Sequence, residues 1–204
     1  MHTQGISRRE LFMEGGAALA GLALLHSPVF AGQSLQCETF DTLALGSQII
    51  VYFLNPVYTN TWQPPNGDFW GAKFVLADGN STDKGQARID NKGRAGGSGH
   101  EVIVNNINLC FSANFGQTLK YIKFAFGEYG GNLNLMINRQ FVNFGNFKDI
   151  HGRIIGGVKV NVLSGGAGND SGEVEFSGRI NDQRWWGHLA IGGQELWIDD
   201  FCWE

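Results

Sequence analysis

Apolar residues along this chain gather in short runs that stop at Gly, Asn or Asp, and none recurs with the three- and four-residue spacing of an amphipathic helix. The runs QIIVYFL (48–54), AKFVLAD (72–78), HEVIVNN (100–106), INLCFSANF (107–115) and LKYIKFAFG (119–127) read as strands. So do NLNLMIN (132–138), GGVKVNVL (156–163), EVEFSGRI (173–180), WGHLAIGG (186–193) and ELWIDDFC (195–202). Several alternate with period two. In LKYIKFAF, Leu119, Tyr121, Lys123 and Ala125 share one side, and Lys120, Ile122, Phe124 and Phe126 the other. In NLNLMIN, Leu133, Leu135 and Ile137 face together, with Asn132, Asn134, Met136 and Asn138 opposite. One buried and one solvated face per strand predicts antiparallel sheets and disfavours a parallel sheet covered by helices. The expectation is an all-β, two-sheet antiparallel sandwich in a single domain. YTNTWQPPNGDFWG (58–71), with Pro64 and Pro65 blocking ladder pairing, reads as a surface loop, and GRAGGSG (93–99) as a second, flexible connection.

Composition supports many strands joined by tight turns: the chain has 30 glycines against 4 prolines, and 15 phenylalanines. With 17% charged residues and a formal net charge of -4 it lacks the basic footprint of a nucleic-acid binder.

Residues 1–31 are set apart from the fold, and the domain is expected over 32–204. SRRELFM (7–13) places Arg8 and Arg9 before GGAALAGLALL (15–25), too short to span a bilayer as a mature helix, and Val29 and Ala31 give a small-x-small cleavage pattern. The segment resembles a twin-arginine signal, with Leu11 where that motif most often has Phe. This implies export to the periplasm or exterior, with no membrane insertion after cleavage. Cys37, in SLQC, lacks the flanking residues of a lipoprotein anchor.

The processed chain begins near CETFDTLALGSQI and ends on ELWIDDFCWE, and ends this apolar are expected to be paired. Pairing first strand with last would bring Cys37 to Cys202, one of three pairings open to three cysteines. Cys110, inside INLCFSANF, reads as a small buried hydrophobe.

ETFDTLALG and ELWIDDF resemble the first and last strands of galactose-binding-like β-jelly rolls, the fold of many secreted carbohydrate-binding modules. The resemblance covers the two ends and the strand count. It implies a jelly roll, and a structural calcium where the terminal strands meet, with Asp199 matching the aspartate of the last strand and Glu38 or Asp41 as partners. Two carboxylates with backbone carbonyls would satisfy such an ion.

Other motifs fall away on inspection. GGAGNDSGE (165–173) is one unit of a calcium-binding nonapeptide where several are needed, and reads as a hairpin turn. DGNSTDKGQARI (78–89) has Asp83 where an EF-hand needs Gly and Ile89 where it needs Glu. Asn80-Ser81-Thr82 is formally a glycosylation acceptor, a signal with little meaning behind a twin-arginine leader. His100, His151 and His188 share no metal-ligand spacing.

Aromatics carry the functional expectation, because sugar C–H faces stack on flat rings while hydroxyls need amide and carboxylate partners. Trp62 and Trp70 flank the double-proline loop, Trp185 and Trp186 are adjacent, and Tyr129 lies beside Asn132 and Asn134. These seven residues are the expected contacts of a glycan or other cell-surface polymer bound by a monomeric protein without chemistry. Two readings compete: a polysaccharide hydrolase or lyase using Glu128, Glu195 or His188 in proton transfer, and an adhesion protein of the cell envelope. Convergence of those three residues in one tryptophan-lined cleft would favour the enzyme.

Overall fold

The computed structural model describes residues 34–47, 68–82, 85–97, 99–113, 116–183 and 186–204, and of Asp68 and Trp70 only the backbone. The expected strand 48–54, the loop from 58 to 67, and residues Trp62 and Trp185 lie outside the described residues. Fourteen strands run in chain order: β1 (Gln36–Glu38), β2 (Asp68–Val75), β3 (Ser81–Thr82), β4 (Gln86–Asp90), β5 (Glu101–Asn105), β6 (Ile107–Ser112), β7 (Thr118–Glu128), β8 (Leu133–Ile137), β9 (Gln140–Phe144), β10 (Ile154–Ile155), β11 (Val158–Ser164), β12 (Asp170–Asn181), β13 (Leu189–Gly193) and β14 (Leu196–Trp203). A single 3₁₀ turn, Phe147–Ile150, is the one helical element among the described residues.

The strands form two antiparallel sheets. One has eight strands, in the order β10-β11-β12-β7-β14-β5-β4 with β1 also on β14; the other has six, β3-β2-β6-β13-β8-β9. In chain order the strands change sheet at β1–β2, β3–β4, β5–β6, β6–β7, β7–β8, β9–β10, β12–β13 and β13–β14. The expected alternation supplies the core. Ile122, Phe124 and Phe126 of β7 face inward against Leu109 and Phe111 of β6 and Leu133, Leu135 and Ile137 of β8. Phe201 joins the sheets, with its ring centroid 4.7 Å from Phe111 and 5.4 Å from Phe69.

The ends of the chain pair as expected. β14 lays its first half on β5 and its second half on β1, with Cys37 directly opposite Cys202 and bonded to it. Cys110 is a buried free thiol. GGAGND is the expected turn between β11 and β12.

Other expectations are corrected. Asp68–Gly71 belong to β2 and not to a loop, since they pair with Leu109–Ser112 of β6. Leu119 enters the core while Lys120 is exposed, because the β7–β12 ladder slips between Ser177 and Ile180 at the start of β7. Residues 93–97 form a pinned strap. Glu101 accepts the N–H groups of Arg94 (3.0 Å) and Ala95 (2.7 Å), and Asp41 accepts that of His100 (2.7 Å). Glycine is required here: a Cβ on Gly127 would strike the Arg94 carbonyl, and one on Gly97 would strike Asp199 Oδ2.

Candidate functional site

The outer face of the six-stranded sheet gathers three of the seven expected contact residues, Asn132, Asn134 and Trp186. Strand register sets two rows across it. One runs Ala72, Asn108, Gly192, Asn134, Asn143; the next runs Cys110, Ala190, Met136, Phe141, with the Trp70 backbone paired to Cys110. Small residues make a low floor, since Ala72, Cys110 and Ala190 form one buried cluster on which Met136 and the half-buried Trp186 pack. Trp186 stands in a turn before β13 and not on a strand, held by its N–H to the Gln183 carbonyl (2.8 Å). Phe141, on the edge strand β9, is 37% exposed.

The asparagines on this face are engaged with the chain itself. Asn132, Asn134 and Asn143 all donate to the Val75 carbonyl, at 3.1, 2.9 and 3.0 Å, and Asn134 Oδ1 accepts the Val75 N–H at 2.7 Å. They bind the β2–β3 hairpin down across the sheet. Asn132 and Asn134 are buried, so their amides serve the fold, whereas Asn143 is exposed. Three donors on an oxygen with two lone pairs leave the exposed amide as the one in excess.

Tyr129 lies elsewhere, at the end of β7 on the solvent face of the eight-stranded sheet. Its ring meets Trp197 edge-on at 5.4 Å, and the Arg94 guanidinium sits 4.7 Å above it. Trp197 is buried beneath the strap with Ala95, Ile103 and Ala125, its indole N–H donating to Asp90 at 3.2 Å.

Close by, the strap covers Asp199, which is 4% exposed. Burial pushes its carboxyl up to about 7; the Asp200 N–H opposes this, and the negative charges of Asp200, Asp41 and Glu101 add to it. The charges acting on Asp199 are thus all of its own sign. Asp41 is exposed, and the His100 N–H holds it below the usual carboxylate range. Glu38 accepts the Phe40 N–H at 2.8 Å. Glu101, which the sequence reading missed, belongs to this group; its only signal was a carboxylate opening a strand right after the glycine-rich segment.

The residues named for proton transfer do not share one cleft: the backbones of Glu128 and Glu195 lie close, the Tyr129 N–H donating to the Glu195 carbonyl at 2.9 Å, but the Glu128 side chain is buried and that of Glu195 exposed, and His188 lies apart. His188 and Glu195 flank β13, separated by roughly 16 Å of strand. His188 is fully buried, its Nε2 3.0 Å from the Gln117 carbonyl and its Nδ1 accepting the Ala113 N–H at 3.2 Å, and burial lowers its pKa. This fixes a neutral ring protonated on Nε2. Glu128 is buried and clasps two loops, accepting the N–H groups of Phe147 (2.8 Å) and Gly168 (2.7 Å). Glu195 is exposed in the β13–β14 turn. Geometry thus provides no acid–base pair among these three.

Comparison with known proteins finds no matching family model, no matching curated protein and no matching solved structure. Among the described residues, no helix is long and apolar enough to cross a membrane.

Proposed function

We propose that this chain is an exported, monomeric, non-catalytic binding protein of jelly-roll type that recognises a glycan or another cell-surface polymer on the solvent face of its six-stranded sheet. One observation carries the reading: Trp186, half-buried, packs over the small-residue floor of Cys110 and Ala190, with Phe141 exposed at the end of the same row. An apolar strip with flat rings on the outer face of a sheet suits the C–H faces of sugars. The disulfide between Cys37 and Cys202 supports an oxidising compartment, in keeping with the twin-arginine-like leader.

A structural calcium belongs to the same reading. Asp199 with Glu38 or Asp41 would hold it; among the described residues no three carboxylate, imidazole or thiolate groups gather around one point, so backbone carbonyls would have to supply most of the ligands. A buried carboxylate acted on only by like charges fits a hard cation. The ion would neutralise these charges where the ends of the chain meet.

A glycan array probed with wild type and with Trp186→Ala tests the binding function. Wild type is expected to retain at least one glycan class, and the variant to lose tenfold or more in affinity while keeping its far-ultraviolet signature, with a lowered melting temperature because Trp186 packs on the buried Cys110 and Ala190. A wild-type protein that retains no glycan overturns the proposal.

A further inference from the structure

We propose, resting on the glycan reading above, that Ser112, Gln183 and Asn108 are the polar contacts of that face, and that its ligand is a neutral glycan chain of at least two rings lying along β6. Among the described residues four buried side-chain atoms lack a hydrogen-bond partner; Arg88 Nε lies on β4 in the other sheet, and the inference starts from the remaining three, Ser112 Oγ, Gln183 Nε2 and Asn108 Oδ1. Ser112 and Asn108 are 7% and 2% exposed. Buried polar groups in folded proteins are nearly always paired, so an unpaired set on one face asks for a partner from outside the chain.

Their placement is orderly. Asn108, Cys110 and Ser112 alternate on the same face of β6, so the two unpaired groups bracket the Cys110 floor about 13 Å apart. Gln183 opens the turn that carries Trp186, and Gly187 in that turn bridges to Phe111, next to Ser112. The other ends of the two amides are spoken for: Asn108 Nδ2 donates to the Lys73 carbonyl at 2.6 Å, and Gln183 Oε1 accepts the Arg139 N–H at 2.6 Å. What remains is one donor, one acceptor and one hydroxyl capable of both, a set that matches sugar hydroxyls. Among the described side chains neither these groups nor the floor between them carries charge, and the residue paired with Ser112 across the β2–β6 ladder is the acid Asp68, which selects a neutral chain over an acidic one. Thirteen ångströms exceeds a single pyranose. Since the atoms are buried, the ligand reaches them as the Trp186 side chain rotates off Cys110 and Ala190 and stacks on the incoming ring.

The test uses the full mature chain and linear neutral oligosaccharides of one to six units from the gluco-, manno- and N-acetylglucosamine series, with Ser112→Ala and Gln183→Glu. The glutamate keeps the acceptor for the Arg139 N–H and removes the donor but adds a charge, so Gln183→Met, which removes the donor without charge, is measured beside it. Expected are a three- to tenfold loss of affinity in each variant, a melting temperature for Ser112→Ala equal to or above wild type because an unpaired hydroxyl has been removed, and affinity that climbs from one unit to three. If wild type binds and Trp186→Ala does not, yet the new variants bind as wild type, this inference falls and the glycan reading stands. A lowered melting temperature with unchanged affinity in Ser112→Ala makes the hydroxyl structural and also overturns it. Silence from the wild type ends both.

Discussion

Asp199 and Glu128 are the two carboxylates whose chemistry the fold alters most, and both are pushed up to about 7. For Glu128 burial is the main cause; the Phe147 and Gly168 N–H groups oppose it, and Asp170 and Asp149 add to it. Each group therefore binds its proton more tightly in the folded chain than in the unfolded one. Between about pH 4 and 7 the native state holds more protons, so stability falls as pH rises through that window and stays lower above it. Urea midpoints of the metal-free protein are expected to be higher at pH 5 than at pH 8, with Asp199→Asn or Glu128→Gln each flattening the difference; a midpoint that is level or rising toward pH 8 would refute this. Added calcium should raise the pH 8 midpoint in wild type and leave Asp199→Asn unmoved. At this scale the sequence was least informative. Asn132 and Asn134 looked like ligand contacts because their partner, Val75, lies more than fifty residues away along the chain. His188 looked like a proton carrier for the same reason, since Ala113 and Gln117 are equally remote.

Strands were legible wherever alternation ran long enough to separate two faces, as in β7 and β8. The misses were the two-residue β3 and β10, β4, Gln86–Asp90, hidden at the end of a polar stretch, and β9, Gln140–Phe144, an edge strand whose outer face carries Phe141 and Asn143 beside a core-facing Phe144. β14 shows why the phase of a strand cannot be read from its length. Leu196 and Ile198 face the core, then Asp200 adopts a positive φ of 47° and the ladder with β7 slips, so that Phe201 and Trp203 face the core as well. Two adjacent acids inside an apolar run were the local sign of this bulge. Asp tolerates the left-handed region and a β-branched residue does not, so Asp200→Val is expected to cost about 1–2 kcal/mol. Deleting Asp200 is a sharper test. It would remove the extra residue of the bulge, so that plain alternation keeps Phe201 and Trp203 inward and Cys202 opposite Lys123, and the variant is expected still to form the Cys37–Cys202 bond, as read by thiol titration after unfolding. A deletion variant with Cys37 and Cys202 left as free thiols would show that Asp200 is not the extra residue of the ladder.

At the scale of the molecule, the sequence conveyed that the two ends meet but not the order of the strands between them. Apolar termini demand partners, and that demand is local; which strand lies beside which depends on pairings between residues far apart in the chain. The consequence is a closure built from little hydrogen bonding. β1 is three residues long and pairs only with the second half of β14, while the disulfide joins residues 165 positions apart. A cross-link over so long a loop removes much of the freedom of the unfolded chain, and its loss is expected to cost about 2–5 kcal/mol. Replacing both cysteines, Cys37→Ser with Cys202→Ser, avoids leaving a lone reactive thiol. The double variant should keep the far-ultraviolet signature of the sandwich, since the core held by Phe111, Phe124 and Phe201 is untouched, yet lose a corresponding fraction of its denaturant midpoint. Native-state hydrogen exchange should localise the change: amides of β1 and of residues 201–203 should exchange faster, while those of β7 facing β12 keep their protection. An unchanged midpoint with β1 still protected would mean that strand pairing and the buried Phe40 and Trp203 close the sandwich without the bond.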